Sequence, residues 1–409
     1  MDNVGNRTAK TDQLAGVTSN YAYDLIYQLT GVTQGANTTE SYSYDAVGNR
    51  LSSLGVSPYS YNVSNQLTST PNATYTYDNN GNETSKTDST GTTSYTWDYE
   101  NRLTSVTLPG SGGTVSFKYD AFGRRIYKSS SAVTSIYAYD GDNLIEETNS
   151  SGGVVARYSQ TDEVDEPLAM LRSGATSYYE ADGLGTTTSL TNTAGSLAQT
   201  YTFDTFGKQT ASSGSLTNPF QYAGRELDSE TTLYFMRARY FDSTTGRFLS
   251  EDPARFDGGI DFYAYVSNSP VNLIDPFGLY LTHPKVPLPL PPALDKFMKC
   301  MDDCTKGTPP LYVRATTNGE HNDPGHKNGT TVDLRPNGTP SDQVFCCAGR
   351  CGAPYALDER KIHTPKGDGK HYHIQLVPPL HPNPKYPNAI PDRPECKPSG
   401  CDANSGAKK

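Results

Sequence analysis

The sequence predicts a mainly β chain in two unlike parts: a spiral of stacked β-hairpins over residues 1–279, then a small α+β domain. Three observations carry this reading. An aromatic-x-aromatic-Asp unit recurs through the first half. Gly (37) and Tyr (29) are abundant while Trp (1) and Met (5) are scarce, a balance that suits strands and turns rather than helical bundles. All seven His and all seven Cys lie beyond residue 282.

The length of 409 residues suggests about two to four domains. With 34% hydrophobic and 19% charged residues, the chain has enough apolar content for a core, which argues against wholesale disorder. No stretch reaches the ~18 apolar residues of a membrane-spanning helix. The N-terminus, Met1-Asp2-Asn3-Val4-Gly5-Asn6, lacks the basic and apolar regions of a secretory signal. Charge divides where His and Cys divide. Residues 280–409 hold 17 Lys+Arg against 13 Asp+Glu, a net of +4, which leaves −14 of the total −10 for residues 1–279. They also hold 20 of the 28 Pro.

Residues 1–219 read as a repeat array. The unit is Tyr42-Ser43-Tyr44-Asp45-Ala46-Val47-Gly48-Asn49-Arg50-Leu51. It returns around Tyr61-Asn62, Tyr77-Asp78, Trp97-Asp98, Tyr119-Asp120, Tyr139-Asp140 and Phe203-Asp204, at spacings of 16 to 22 residues in the first half. Alternation places both aromatics on one strand face and Ser or Thr on the other. Asp followed by Gly-Asn supplies the turn. One hairpin is too small to fold alone, so the units must stack.

These units resemble the YD repeats of RHS proteins and of toxin-complex shells. Residues 220–279 resemble the RHS-repeat-associated core domain: Phe220-Gln221-Tyr222-Ala223-Gly224-Arg225-Glu226-Leu227-Asp228, Leu233 to Asp242, Gly246 to Pro253, Tyr263 to Pro270, and Asp275-Pro276-Phe277-Gly278-Leu279. The resemblance implies a hollow β-shell around a C-terminal toxin, of which this chain looks like the C-terminal piece. It further implies self-cleavage between Leu279 and Tyr280 by an aspartyl pair, Asp252 and Asp275, with Arg247 in support. Two carboxylates sharing a proton can supply one acid and one base.

Residues 280–294 are Pro-rich and read as an extended linker. The C-terminal domain, residues 295–409, opens on a short helix from Ala293 to Thr305 that places Cys300 and Cys304 one turn apart. Two later stretches carry chemistry. Gly369 to Val377 alternates, with His371, His373 and Gln375 on one strand face. Thr331-Val332-Asp333-Leu334 alternates likewise, and His326 precedes it by a turn. Two imidazoles and one carboxylate suit a catalytic Zn²⁺ with an open position for water.

His326-x-x-Gly329-x-x-x-Asp333, with His371-x-His373 about forty residues on, resembles the D-Ala-D-Ala carboxypeptidase and murein endopeptidase family. The resemblance implies zinc on His326, Asp333 and His373, with His371 helping to activate water and Asp368 a weaker candidate. Arg314 is its counterpart for a substrate-binding arginine. The activity implied is hydrolysis of peptidoglycan peptide bonds, by zinc lowering the pKa of bound water and a neighbouring group moving the proton. His283, His363 and His381 read as structural or exposed; His321 is a candidate supporting residue.

The cysteines, Cys300, Cys304, Cys346, Cys347, Cys351, Cys396 and Cys401, lack paired Cys-x2-Cys spacing. Up to three disulfides with one Cys over is the expected arrangement, which implies an oxidising destination. The reading as a whole is a secreted toxin delivered to a target cell's periplasm or envelope. Its expected partners are peptidoglycan, secretion machinery and an immunity protein, with neither nucleic acid nor a membrane span. Two alternatives remain: a metal- or His-dependent nuclease toxin, whose basic run is missing here, and a non-enzymatic YD-repeat cell-surface protein.

Overall fold

The computed structural model describes residues 1–279 except 3–4, 13–15, 162–163, 165 and 254–259, and beyond them residues 312–315, 331–335, 348, 355–358 and 372–375. The chain divides into two compact units, Met1–Pro284 and Lys285–Lys409. The expected helix, the cysteines and the Pro-rich linker lie outside the described residues.

The first unit opens with a five-stranded antiparallel sheet: β1 (Ala9–Asp12), β2 (Val17–Tyr23), β3 (Leu29–Gln34), β4 (Asn37–Tyr44) and β5 (Arg50–Ser53). Sixteen more strands, from β6 (Ser60–Tyr61) to β21 (Gln209–Gly214), form a second sheet in which every strand pairs with its neighbours in sequence. This is the hairpin array that the repeats predict.

Each element of the repeat has a definite job. The Asp closes its turn: Asp45 Oδ1 accepts the backbone N–H groups of Val47 and Asn49 at 2.9 Å, and Asp45 Oδ2 accepts the Asn49 side chain at 2.9 Å. Asp98 and Asp120 do the same, with Arg102 and Arg124 in the place of Asn49. Gly48 then takes φ 99, which a Cβ would disfavour.

The first aromatic of each pair goes into the core, as Tyr42, Tyr75, Tyr95, Tyr137 and Tyr201 do. The second reaches back to a backbone carbonyl of the preceding unit. Tyr44 donates to Leu29, Tyr61 to Arg50, Trp97 to Glu83, Tyr119 to Leu103 and Tyr139 to Arg125, at 2.6–2.9 Å. The second aromatic thus sets the stacking of unit on unit.

Residues 220–279 cover the aromatic face. They carry a small antiparallel sheet of β22 (Glu226–Asp228), β23 (Leu233–Met236), β24 (Arg239–Asp242) and β25 (Arg247–Phe248), in that order. Strands β23, β24 and β25 are buried throughout. Leu233, Phe235, Tyr240 and Leu249 pack among Tyr95, Leu103, Val106, Val115 and Phe117 of the array, and Phe220 among Tyr137, Tyr158 and Tyr201. Polar side chains from this plug then bind the turn carbonyls of the array. Asn268 donates to Gly48, Arg247 to Asn65, Tyr263 to Gly81, Arg237 to Asp142, Tyr222 to Thr205 and Tyr234 to Gly207, at 2.7–3.0 Å.

Arg125 locks array to plug. It is buried, with Nη1 2.5 Å from Asp228 and Nη2 2.8 Å from Glu226, and lies over the Phe235 ring. Removing one partner of a buried ion cluster strands the remaining charges, at a cost of roughly 3–5 kcal/mol. Arg125→Ala should lose about that much in chemical denaturation; a loss within about 1 kcal/mol would overturn this assignment.

The first sheet and the last turn of the array also meet. Glu40 accepts the Thr205 N–H at 3.1 Å and the hydroxyls of Thr205 and Tyr42. That contact changes Asp204. In the equivalent turns, hydrogen bonds and the neighbouring arginine outweigh burial and hold Asp98 and Asp120 below their ordinary 3.8. Burial, and next the charge of Glu40, push Asp204 up to about 7. The folded state therefore holds the proton more tightly than the unfolded chain. Stability should fall as pH rises from about 4 to about 7, by on the order of a few kcal/mol. Asp204→Asn should flatten that slope in denaturation midpoints measured across pH; an unchanged slope would assign it to other groups.

Candidate active site

The plug ends on Asp275-Pro276-Phe277-Gly278-Leu279, and this segment is held from several sides. Strands β23 and β24 are joined by a two-residue turn, Arg237-Ala238, in which Met236 pairs with Arg239. The terminal segment lies against that turn. The Ala238 N–H donates to the Phe277 carbonyl at 3.1 Å. Gly278 has φ 68, and a Cβ there would sit 2.5 Å from the Met236 carbonyl oxygen, so glycine is required twice over.

Arg239 organises the chemistry. Its Nη2 lies 2.9 Å from Asp252 Oδ2 and 3.2 Å from Asp275 Oδ2. Its Nε donates to the Gly278 carbonyl at 2.6 Å and its Nη1 to Phe262 at 3.1 Å. The guanidinium plane rests on the Phe248 ring, 3.6 Å from the centroid. Arg239, Asp252 and Asp275 are 3%, 5% and 3% exposed. One planar, permanently charged fork therefore holds two buried carboxylates and one carbonyl of the segment. Asp275 Oδ1 also accepts the Leu279 N–H at 3.0 Å, so a carboxylate sits one residue from the expected cut. Burial, and next the charge of Asp275, push the Tyr265 phenol up.

Asp252 and Asp275 thus come together as the sequence implies. Arg247 does not join them, and that expectation is corrected. Its guanidinium is held by Asp261 through two hydrogen bonds, at 2.8 and 3.0 Å, and reaches Asn49 and Asn65 of the array. Asp261 satisfies its charge away from the pair, so Arg247 is an anchor. Arg239 holds the place expected of it. The signal was present in the Arg237-Ala238-Arg239 run, but spacing alone did not separate three nearby arginines.

The expected zinc site is only partly within reach. His326, His371 and Asp368 lie outside the described residues. Among the described residues the second unit shows four strands, β26 (Tyr312–Ala315), β27 (Thr331–Arg335), β28 (Tyr355–Asp358) and β29 (Tyr372–Gln375), in the order β26-β27-β29-β28. Strands β27 and β29 are antiparallel, and Asp333 is the register partner of His373. Arg314 lies at a register shift in β26. Among the described residues no group of three or more His, Cys, Asp or Glu stands ready for a metal, and no helix is long and apolar enough to cross a membrane.

Comparison with known proteins bears on the shell and, through the relatives' names, on the class of activity expected. The chain is 34% identical over 273 residues to the tRNA3(Ser)-specific nuclease WapA of Bacillus spizizenii, covering 63% of this chain and 12% of that protein. It is 32% identical over 107 residues to double-stranded DNA deaminase toxin A of Burkholderia cenocepacia, covering 25% of this chain and 7% of that one. Among solved structures it is similar to the Photorhabdus luminescens Tc holotoxin pore, with a TM-score of 0.41 and 18% identity over 66% of this chain and 17% of that one. The chain spans about an eighth of the length of the WapA relatives. These relatives are named nucleases and a deaminase, so the expectation of a zinc peptidase acting on peptidoglycan is corrected, and with it the exclusion of nucleic acid. The Teneurin YD-shell family model matches residues 5–271, and the chain belongs to that family.

Proposed function

We propose that this chain is the closing end of a delivered toxin's YD shell, which carries a C-terminal toxin acting on nucleic acid and cuts itself between Leu279 and Tyr280. The observation that carries the cut is Arg239, which binds both aspartates and the Gly278 carbonyl at once. One carboxylate of the pair takes a proton from water, whose oxygen adds to the Leu279 carbonyl carbon. The other, protonated, gives its proton to the Tyr280 nitrogen as the C–N bond breaks. Leu279 leaves as a carboxylic acid and Tyr280 as an amine. Arg239 fixes the pair and the segment in one frame.

The toxin's class is supported by the names of the relatives, tRNA nucleases and a DNA deaminase toxin. The positive balance of residues 280–409 against the negative shell suits a polyanionic substrate. We assign the chemistry to His326, Asp333, His371 and His373, whose donor set suits Zn²⁺. The register pairing of Asp333 with His373 supports that assignment. A nucleic-acid substrate moves the target from the envelope to the cell interior. An immunity protein in the producing cell and a secretion route belong to this reading.

Two measurements test it. The wild-type chain should run as two bands on a denaturing gel, the smaller beginning at Tyr280 by mass spectrometry, and Asp275→Asn should run as one. A wild-type chain that stays whole, or a variant that is cut at the same bond, would sink the self-cleavage. The cleaved wild-type protein should degrade or modify tRNA or double-stranded DNA, and Asp333→Ala should lose both that activity and bound zinc by metal analysis. Release of peptides from murein with nucleic acid untouched would return the toxin to the peptidase class.

A further inference from the structure

Arg237 has no part in the proton transfers above, yet both its backbone and its side chain are held close to the cut. It occupies the β23–β24 turn at φ 55, a conformation that side chains other than glycine seldom adopt. Its side chain is fixed at both ends of the fork. Nη1 donates to the Pro276 carbonyl at 2.6 Å and Nη2 to the Asp142 carbonyl at 3.0 Å. The guanidinium also lies 5.0 Å from the centroid of the Phe277 ring.

Those two carbonyls belong to distant parts of the chain. Pro276 is within the segment to be cut. Asp142 is in the turn between β14 (Thr134–Asp140) and β15 (Asn143–Thr148) of the array. A second arginine approaches the same carbonyl from another side. Arg225 Nη1 donates to Pro276 at 2.7 Å and its Nε to Ala223 at 3.0 Å, and the Ala223 N–H donates to the Thr186 hydroxyl of the array. The Pro276 carbonyl is thus tied to two separate turns of the array.

From this geometry we infer that Arg237 is a positioning residue that makes the cut after Leu279 conditional on docking of the array's Asp140–Asn143 turn. This rests on the self-cleavage reading and deepens it. Before the turn is in place, Arg237 lacks the Asp142 acceptor. The segment then lacks one clamp, and misplacement of about 1 Å at the reacting atoms can cost as much as a hundredfold in rate. Once the turn docks, the fork closes on both carbonyls and the Leu279 amide is set against Asp275. The chain is cut only where its shell is assembled.

The test uses the full chain made by in vitro translation, with the cut fraction followed over time on denaturing gels. Arg237→Ala should be cut at least roughly tenfold more slowly than wild type, and added guanidinium ion should restore much of the rate. Guanidinium should leave Asp275→Asn whole. Arg237→Lys, which can reach one carbonyl but not both, should fall between the two and keeps the test open where Arg237→Ala fails to fold. Gly141→Pro touches no residue of the site. It replaces φ 56 by about −65°, moves the Asp142 carbonyl, and should slow the cut without rescue by guanidinium. An Arg237→Ala chain that keeps its melting point and cuts within about twofold of wild type overturns the inference. So does a Gly141→Pro chain cut at the wild-type rate. A wild-type chain that is never cut fails in a different lane, and removes the self-cleavage reading along with this one.

Discussion

The tyrosine face of the array has to be covered, and the whole first unit is organised around that need. Antiparallel hairpins stacked in sequence order make a five-stranded and a sixteen-stranded sheet, with an aromatic face and no second layer of their own. The plug of residues 220–279 is that layer. Apolar burial drives it onto the sheet, but burial alone is non-directional. Orientation comes from the polar tips of the plug, whose tyrosine hydroxyls, arginines and asparagine meet carbonyls in five turns of the array. In the turns closed by Asp45, Asp78 and Asp204 the Asp side chain takes the turn's N–H groups and the carbonyls are left for the plug. The repeat signature is therefore a docking surface as well as a hairpin.

Charge adds specificity to that surface. Arg125, Arg239 and Arg247 are each buried, and each is neutralised by carboxylates of the plug: Asp228 and Glu226, Asp252 and Asp275, and Asp261. A buried ion pair contributes little net stability against an apolar substitute, yet a mispaired one is severely penalised. Three such clusters within one plug disfavour shifted dockings. Arg125 comes from the array and Arg247 reaches the array turns, so a slip of one repeat would strand both. Arg239 alone pairs wholly within the plug, and it is the one that holds the aspartyl pair.

The array was legible in the sequence because its rule is local. Tyr-x-Tyr-Asp with a following Gly-Asn or Arg specifies a strand face, a turn and a register within about ten residues. The back-bond from the second aromatic to the preceding unit was not legible, because alternation fixes a face and not a distant partner. The same limit applied at the site. The Asp-Pro dipeptides at 252 and 275 marked both carboxylates, but which arginine joins them depends on how β23, β24 and β25 pair, and Arg247 lost that place to Arg239. The zinc-peptidase expectation failed for a different reason. Two His and an Asp on alternating strands describe a donor set, and one donor set serves many reactions. The pairing of Asp333 with His373 says where such a set would gather and nothing about the bond it attacks.

The position proposed for the cut accords with which side of it the anchors stand. Arg225, Arg237 and Arg239 hold the carbonyls of Pro276 and Gly278, Ala238 holds Phe277, and Asp275 holds the Leu279 amide. Each of these contacts lies on the N-terminal side of the Leu279–Tyr280 bond. Hydrolysis there removes none of them, so the plug keeps its seat and the aromatic face stays covered. A cut between Asp275 and Gly278 would instead release the Gly278 carbonyl from Arg239 and the Leu279 amide from Asp275. The bond after Leu279 is the first one past the anchors, and it falls where the chain passes from net negative, without His or Cys, to net positive with all of both.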